Sequence, residues 1–496
     1  MYWANFLHIY QPAQQMPDIL QRVVNESYRP IINGLLDIKR ARVTLNINAV
    51  LAELLAKYEY NDVIENIKKL AAEKQIEFTE SAKFHAFLPL IPKKEIVRQI
   101  KLNHETNKRI FGDIYEPKGF FSPEMAYNKQ VAEVVTELGY EWMLLDEITA
   151  HGKVDSLSYD NFFIHEQHSN LKLFFRERRT SNLIMSAVVR SASSLTEALN
   201  KGEQKNRYLL TAMDGETFGH HRPGLERLLF EIWRDESFKH ITISEIPKYF
   251  PQNEICAPHD STWSSTEKDL EEGKQFRSWK DPENAIHALQ WEFLNFVLSR
   301  VETCEARGTK CEEARSKMDE AIASDHFWWA SGKPWWSIEM VERGAWRLLE
   351  TLKAVPDINE PDLKDGERFY QDIINTAFEW QRTGYIKKLA LDYRESARIP
   401  FKERTADAGR PEVYDAFIEM MKRKMKEASG NQEFEKAVLW RDAVWKLENK
   451  NDIYDAIHAT DLLRAEVADW QLRELMDSYK EQYKKIKPGQ PEQRDI

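Results

Sequence analysis

The sequence predicts an α/β fold, a β/α barrel followed by an α-helical region, and three observations point to it. Short apolar runs rich in β-branched and aromatic residues alternate with helical patterns through the first half of the chain. Many of those runs end in polar or ionisable residues, as parallel strands do when their C-terminal ends converge on one functional rim. From about residue 253 the apolar spacing becomes helical.

Taken in chain order, the strand candidates are Tyr2–His8, Arg42–Asn48, Ile76–Thr79, Gly119–Ser122, Glu141–Asp146, Leu171–Arg176, Leu183–Val189, Arg207–Met213 and Ile241–Ser244. Segments 48–58 and 129–140 carry helical patterns between them, the second reaching Gly139 where a C-cap is expected. The polar residues at or near the ends of these runs are His8, Asn46, Asn48, Glu77, Glu124, Asp146, Asp214, Ser244 and Glu245. The patterns leave the strand number open between seven and eight. The expected organisation is a barrel over 1–252, a helical domain over 253–400 completing the active-site cleft, further helices over 401–486 and a disordered tail over 487–496. Residues 433–448 resemble, weakly, the helical-hairpin motif of nucleotide-excision-repair proteins. A plain amphipathic helix accounts for them equally well.

At 496 residues the chain exceeds one ordinary core, so more than one domain is expected. Its net charge of -11 argues against a phosphate-backbone ligand, hence against nucleic acid. The cysteines are Cys256, Cys304 and Cys311, in no CxxC spacing, which supports neither a disulfide framework nor a cysteine zinc site and fits a reducing compartment. The first residues lack a basic segment followed by an uninterrupted apolar stretch, and nowhere do about 18 apolar residues run together. The expectation is a soluble cytoplasmic protein without a membrane partner. Several of the 15 tryptophans crowd into residues 328–346, a pattern that fits core packing first and rings lining a sugar cleft second.

Two stretches carry the chemistry. In FFSPEMAYN, residues 120–128, Ser122 fits an N-cap, Pro123 the first helical position and Glu124 the first turn. Amide hydrogens would then keep Glu124 ionised at neutral pH, as a nucleophile requires. In TAMDGETFGHHRPG, residues 211–224, Asp214 ends a strand, Gly215 turns the chain and Glu216 returns toward the same side. Interaction between those two carboxyls would let one hold its proton longer, which makes a general acid. Glu124 and Asp214 can flank a glycosidic bond at the roughly 5–5.5 Å separation of retaining glycosidases. A metal site built from His8, His85, His220 and His221 is the competing reading, but no HxH, HExxH or Cys/His spacing anchors it, so no metal and no organic cofactor is expected.

Together these stretches resemble the family-57 glycoside hydrolases, α-glucan-active enzymes with a (β/α)7 barrel and a following helical domain. HIYQP (8–12) is similar to the family's HxHQP, with Tyr10 replacing the second histidine. Residues 75–92 are similar to the second motif, keeping Glu77 and His85, with Lys74 where a glycine is usual. FSPE resembles the nucleophile motif, and MDGETFG the acid/base motif with Thr217 for lysine. SDHFWWAS (324–331) resembles the fifth. The resemblance implies Glu124 as nucleophile and Asp214 as acid/base. It implies substrate contacts from His8, Gln11, Glu77, His85, Glu216, His220, Trp263, Asp325, Trp328 and Trp329. The implied activity is an amylase-like retaining hydrolase of α-glucans. The alternatives are a 4-α-glucanotransferase or branching-type transglycosylase, a catalytically silent glucan-binding protein, and a metal-dependent enzyme resembling polysaccharide deacetylases.

Overall fold

The computed structural model describes residues 1–200, 206–308, 310–333, 335–396, 411–449 and 453–486, and the tail expected at 487–496 lies outside them. The strands are β1 (Tyr2–Ile9), β2 (Val43–Ile47), β3 (Ile76–Glu80), β4 (Gly119–Phe121), β5 (Trp142–Asp146), β6 (Phe162–His165), β7 (Lys172–Arg176), β8 (Tyr208–Asp214), β9 (Lys239–Ile241) and β10 (Asn253–Cys256). They form one curled sheet in the order β10-β6-β7-β5-β4-β3-β2-β1-β8, with β9 also on β1. β6 and β7 are antiparallel, and the other pairs are parallel. Just past β7, the Glu177 N–H donates to Leu210 O of β8 at 2.8 Å, bringing the two ends of the curl together. The described strands β1, β2, β3, β4, β5, β7 and β8 thus make a barrel of the (β/α)7 type.

Alternation along the strands explains the core. Ala4 and Phe6, Phe121, Trp142 and Leu144, Phe174, and Leu210 and Ala212 point inward and pack together. Intervening residues such as Met143, Leu145, Leu173 and Phe175 join a second core built with helices. Strands covered on both faces read as nearly continuous apolar runs, which is what made them visible. At Gly119 a Cβ would lie 2.1 Å from the Trp142 indole, so only glycine lets β4 and β5 approach with that ring between them.

The chain forms two compact units, Met1–Glu216 with Leu228–Ala390 and Thr217–Arg227 with Leu391–Ile496. In the first, helices Ala285–Ala306, Glu312–Ala321, Ile338–Lys353 and Glu360–Thr383 share a core with one side of the barrel. A buried ion pair, Arg315 with Glu95, ties Glu312–Ala321 to helix Lys93–Phe111 through contacts of 2.8 and 3.1 Å. In the second, helices Pro411–Gly430, Phe434–Asn449, Ile453–Glu466 and Asp469–Ile486 pack around Phe417, Met421, Trp440, Leu447 and Leu463. Arg222 there pairs with Asp461 at 3.0 Å. Among the described residues no helix is long and apolar enough to cross a membrane.

Several sequence expectations are corrected. Leu183–Val189 is not a strand: its start belongs to helix Arg178–Met185, and the chain turns at Ala187 with φ +56°. An apolar run this short looks the same in a buried helix and a strand. β6 and β10 were not foreseen. Helix Phe434–Asn449 is not simply amphipathic, since it buries Trp440, Ala443, Val444 and Leu447 while exposing Phe434, Val438, Leu439 and Trp445. Cys304 and Cys311, Cα atoms 6.2 Å apart, are paired as a disulfide, which the sequence reading did not expect. Helix Ala285–Ala306 ends between them, and the returning chain brings the two together.

Candidate active site

One level of the barrel assembles the base of the site. Register places His8 of β1 opposite Asn46 of β2 and Asp214 of β8, and Asn46 opposite Thr79 of β3. The side chains continue the pairing. His8 Nδ1 lies 2.7 Å from Asn46 Oδ1, an acceptor, so that nitrogen carries the hydrogen. His8 Nε2 then accepts from His85 Nε2 at 3.2 Å, and His85 Nδ1 accepts from Ser324 Oγ at 3.1 Å. Asn46 Nδ2 donates to Thr79 Oγ1 at 3.1 Å. Burial pushes His8 down to about 4 and His85 well below the ordinary histidine range, so both rings are neutral donor–acceptor relays near pH 7.

Glu124 follows β4 on a single 3-10 turn, Pro123–Met125, and not on the helix start that Ser-Pro-Glu suggested. Ser122 makes no side-chain cap bond, and Glu124 and Met125 take left-handed φ of +64° and +48°. Such conformations cost about 1–3 kcal/mol each and persist where their surroundings impose them. Here the imposing element is segment 261–263. Tyr127 and Ser261 exchange backbone hydrogen bonds, the Trp263 N–H donates to Glu124 O at 3.2 Å, and the indole Nε1–H donates to Glu124 Oε2 at 2.8 Å. Glu124 Oε1 faces His85 Nδ1 at 3.9 Å. His85 itself stands at φ +57°.

Asp214 closes β8. At Gly215 a Cβ would meet Ile9 Cγ2 at 2.5 Å, so glycine is what lets the chain leave β8 beside β1. Glu216 is then buried and held by three donors: Tyr10 N–H at 3.1 Å, Gln11 Nε2 at 3.3 Å and a very short bond from Tyr28 OH. Tyr10 also stacks on His85, centroids 4.2 Å apart, and its hydroxyl donates to Asp325 Oδ2 at 2.7 Å.

The electrostatics invert one expectation. Burial, then the charge of Asp214, pushes Glu124 up to about 8 against the opposing Trp263 bond, so Glu124 is not held ionised by helix amides. Burial raises Asp214 to about 6 despite the cation of Arg176. Glu216 rises to about 7 through burial and Asp214. Asp325 is also raised by burial, against its Tyr10 bond and Arg347.

The structure therefore brings together Glu124, Asp214, His8, Gln11, His85, Glu216, Trp263 and Asp325. Glu77 is not with them. It is the second residue of β3, one layer lower, where its Oε2 accepts from Thr44 Oγ1 at 3.0 Å and Ser244 N at 3.3 Å. Trp328 and Trp329 form an aromatic cluster with Trp335, the Trp328 and Trp335 centroids 4.4 Å apart. His220 belongs to the second unit, its ring 5.2 Å from His221. Sequence reasoning did not select Tyr28, Ser324, Arg347 or Arg176. The one available signal was at Arg176, a charge closing the apolar run Leu171–Arg176. Among the described residues no group of three or more His, Cys, Asp or Glu side chains is arranged to hold a metal ion.

The family description Glycosyl hydrolase family 57 matches residues 4–256, more than half of the 496 residues. The chain belongs to glycosyl hydrolase family 57. This family-57 chain is 26 % identical over 224 residues to alpha-amylase 1 of Dictyoglomus thermophilum, covering 44 % of this chain and 32 % of that protein. It is 24 % identical over 279 residues to the alpha-amylase of Pyrococcus horikoshii, covering 53 % and 43 %. It thus spans less than half the length of these curated relatives. The structure of a GH57-type branching enzyme from Pyrococcus horikoshii superposes with a TM-score of 0.58 at 16 % identity, covering 76 % of this chain and 95 % of that one, a likeness of fold. Residues 415–450 of the family-57 chain match the UvrB/uvrC motif, the stretch of the two helices Pro411–Gly430 and Phe434–Asn449.

Proposed function

We propose that this family-57 protein is a retaining glycoside hydrolase of α-glucans, with Glu124 as nucleophile and Asp214 as acid/base. The observation that carries the reading is that these two partly buried carboxyls, just past β4 and at the end of β8, stand close enough for the charge of Asp214 to raise Glu124. Two carboxyls that cannot both ionise cheaply share one proton over the neutral range. Before substrate binds, that proton favours Glu124, since Asp214 ionises near 6 and Glu124 near 8. The reaction needs it on Asp214. A glycosidic oxygen beside Asp214 accepts a hydrogen bond only from the protonated acid, and the Trp263 indole stabilises only ionised Glu124. Substrate binding then draws the proton across.

In the first step Glu124 attacks the anomeric carbon while Asp214 delivers its proton to the departing oxygen, giving a covalent glycosyl-enzyme. In the second, Asp214 takes a proton from water, whose oxygen displaces Glu124. A sugar hydroxyl in place of water gives transfer. His85 and Asp325, steadied by Ser324 and Tyr10, are the proposed partners of ring hydroxyls, with Trp328 and Trp329 as stacking faces. Glu216 Oε1 is taken by Tyr10, Gln11 and Tyr28, and Gln11 Oε1 by Gln15, so the proposed role of Glu216 and Gln11 is to shape the turn beneath Asp214. Glu77, a layer below, has no part in this scheme.

The test is incubation with maltoheptaose and separation of products for the wild type, Glu124→Gln and Asp214→Asn. Short products alone from the wild type, absent in both variants, support hydrolysis, and a ladder that includes longer sugars means transfer. Near-normal turnover by either variant removes the assignment. Calorimetric binding without any product would favour a silent glucan-binding protein.

A further inference from the structure

Arg176, the last residue of β7, is 2 % exposed, and each edge of its guanidinium is engaged. Nε lies 3.1 Å from Asp146 Oδ2, Nη2 donates to Asn182 Oδ1 at 2.9 Å, and Nη1 donates to Ala212 O of β8 at 3.4 Å. Its Cζ lies 5.6 Å from the ring centroid of Trp263. Asp146 does not require Arg176 as its partner, because Arg178 reaches Asp146 Oδ1 through Nε at 2.8 Å and Nη2 at 2.6 Å. Arg178 also donates through Nη1 to Ser265 O at 2.7 Å, so the end of β7 grips the Trp263 loop at two points. A buried guanidinium is costly to desolvate, and one carboxylate already served by a second arginine is a poor reason to keep it.

We infer that Arg176 is a positioning residue that couples the two carboxyls, its guanidinium backing the indole that holds Glu124 and setting a fixed positive charge beside the end of β8 where Asp214 stands. The inference rests on the reading of Glu124 and Asp214 as the reacting pair. The charged and titratable groups facing Arg176 are Asp146 and Glu147 at the end of β5, Arg178 beyond β7 and Asp214 on β8. Of these, Asp214 is the one that must change protonation during turnover. Its carboxyl is pulled down by Arg176 against burial, consistent with the geometry.

The experiment uses the 496-residue chain with Arg176→Gln and Arg176→Lys. Carbodiimide labelling from pH 4 to 9, read by mass spectrometry on the peptides carrying residues 124 and 214, follows each carboxyl without needing turnover. Removing the charge is expected to move the Asp214 midpoint up by about one pH unit. Keeping the charge but not the planar fork, in Arg176→Lys, is expected to leave Asp214 in place and raise Glu124, because the Trp263 contact loosens. On maltoheptaose, Arg176→Gln is expected to lose about tenfold or more in kcat with KM little changed, and Arg176→Lys to recover part of it. A folded Arg176→Gln whose Asp214 midpoint does not move overturns the coupling. So does an Arg176→Lys protein with both midpoints unmoved, the arm that decides if Arg176→Gln fails to fold. A wild type inactive on every α-glucan instead removes the activity reading, and the labelling shifts still decide the coupling.

Discussion

Replacing Trp263 with Phe removes one hydrogen bond from the site and keeps most of the ring. The indole Nε1 is 2.8 Å from Glu124 Oε2, on a carboxyl whose side chain is 17 % exposed. A bond to a charged group in such surroundings is worth about 1.5–3 kcal/mol. At about 1.4 kcal/mol per unit, Glu124 should rise by roughly one to two pH units from about 8. The sign follows from which form the indole favours: it stabilises only the carboxylate, so its loss makes the proton harder to remove. The reactive arrangement, with Glu124 ionised and Asp214 protonated, becomes scarcer by the same factor, about 10- to 100-fold in kcat/KM. The assay is kcat/KM for maltoheptaose from pH 4 to 10. The alkaline limb of Trp263→Phe should move upward, the acid limb set by Asp214 near 6 should stay, and the plateau should fall. A plateau within twofold of wild type, with both limbs unmoved, would refute the reasoning.

The wild type itself should give a bell-shaped kcat/KM profile with limbs near 6 and 8, the two apparent constants of the shared proton; a single limb in a pH–rate series would contradict the sharing. Because the folded site holds Glu124 far above its usual 4.5, the stability this carboxyl contributes is complete below about 4.5 and is lost as pH rises through about 8. Thermal melts of Glu124→Gln should therefore decline less than wild type across that window, and parallel curves would argue against a raised carboxyl. Gly215→Ala places a Cβ 2.5 Å from Ile9 Cγ2, so it should cost about 1–3 kcal/mol in urea unfolding and lower kcat by shifting Asp214. In the same assay, Arg315→Met leaves Glu95 buried without its partner and should cost about 3–5 kcal/mol, whereas Arg315→Met with Glu95→Leu should recover most of it.

How much of this was visible beforehand depends on how far each signal reaches along the chain. Apolar strands ending in His8, Asp146 and Asp214 carry a local signal, and the parallel barrel came from it. Ser122-Pro123-Glu124 carried an equally clear local signal that misled: the spacing fits a helix start, but the backbone bonds to Ser261 and Trp263, some 135 residues away, hold Glu124 left-handed. Glu77 was placed on the rim because a strand's last residue cannot be fixed within a few positions, and β3 runs on to Glu80. Arg176 gave only a weak signal, a charge closing an apolar run, for a related reason. Nothing next to it in sequence shows that Asp146, Ala212 and Trp263 converge on its guanidinium. The cysteine pair depended on a helix end, which spacing alone does not supply.

The central claim is that Glu124 forms a bond to sugar. Incubation with a 5-fluoroglycosyl fluoride of α-gluco configuration, followed by digestion and mass mapping, tests it most directly. One glycosyl adduct is expected, on Glu124 within residues 120–128, absent from Glu124→Gln. An adduct on another residue of a turnover-competent enzyme, or products that first appear with inverted anomeric configuration, would contradict it.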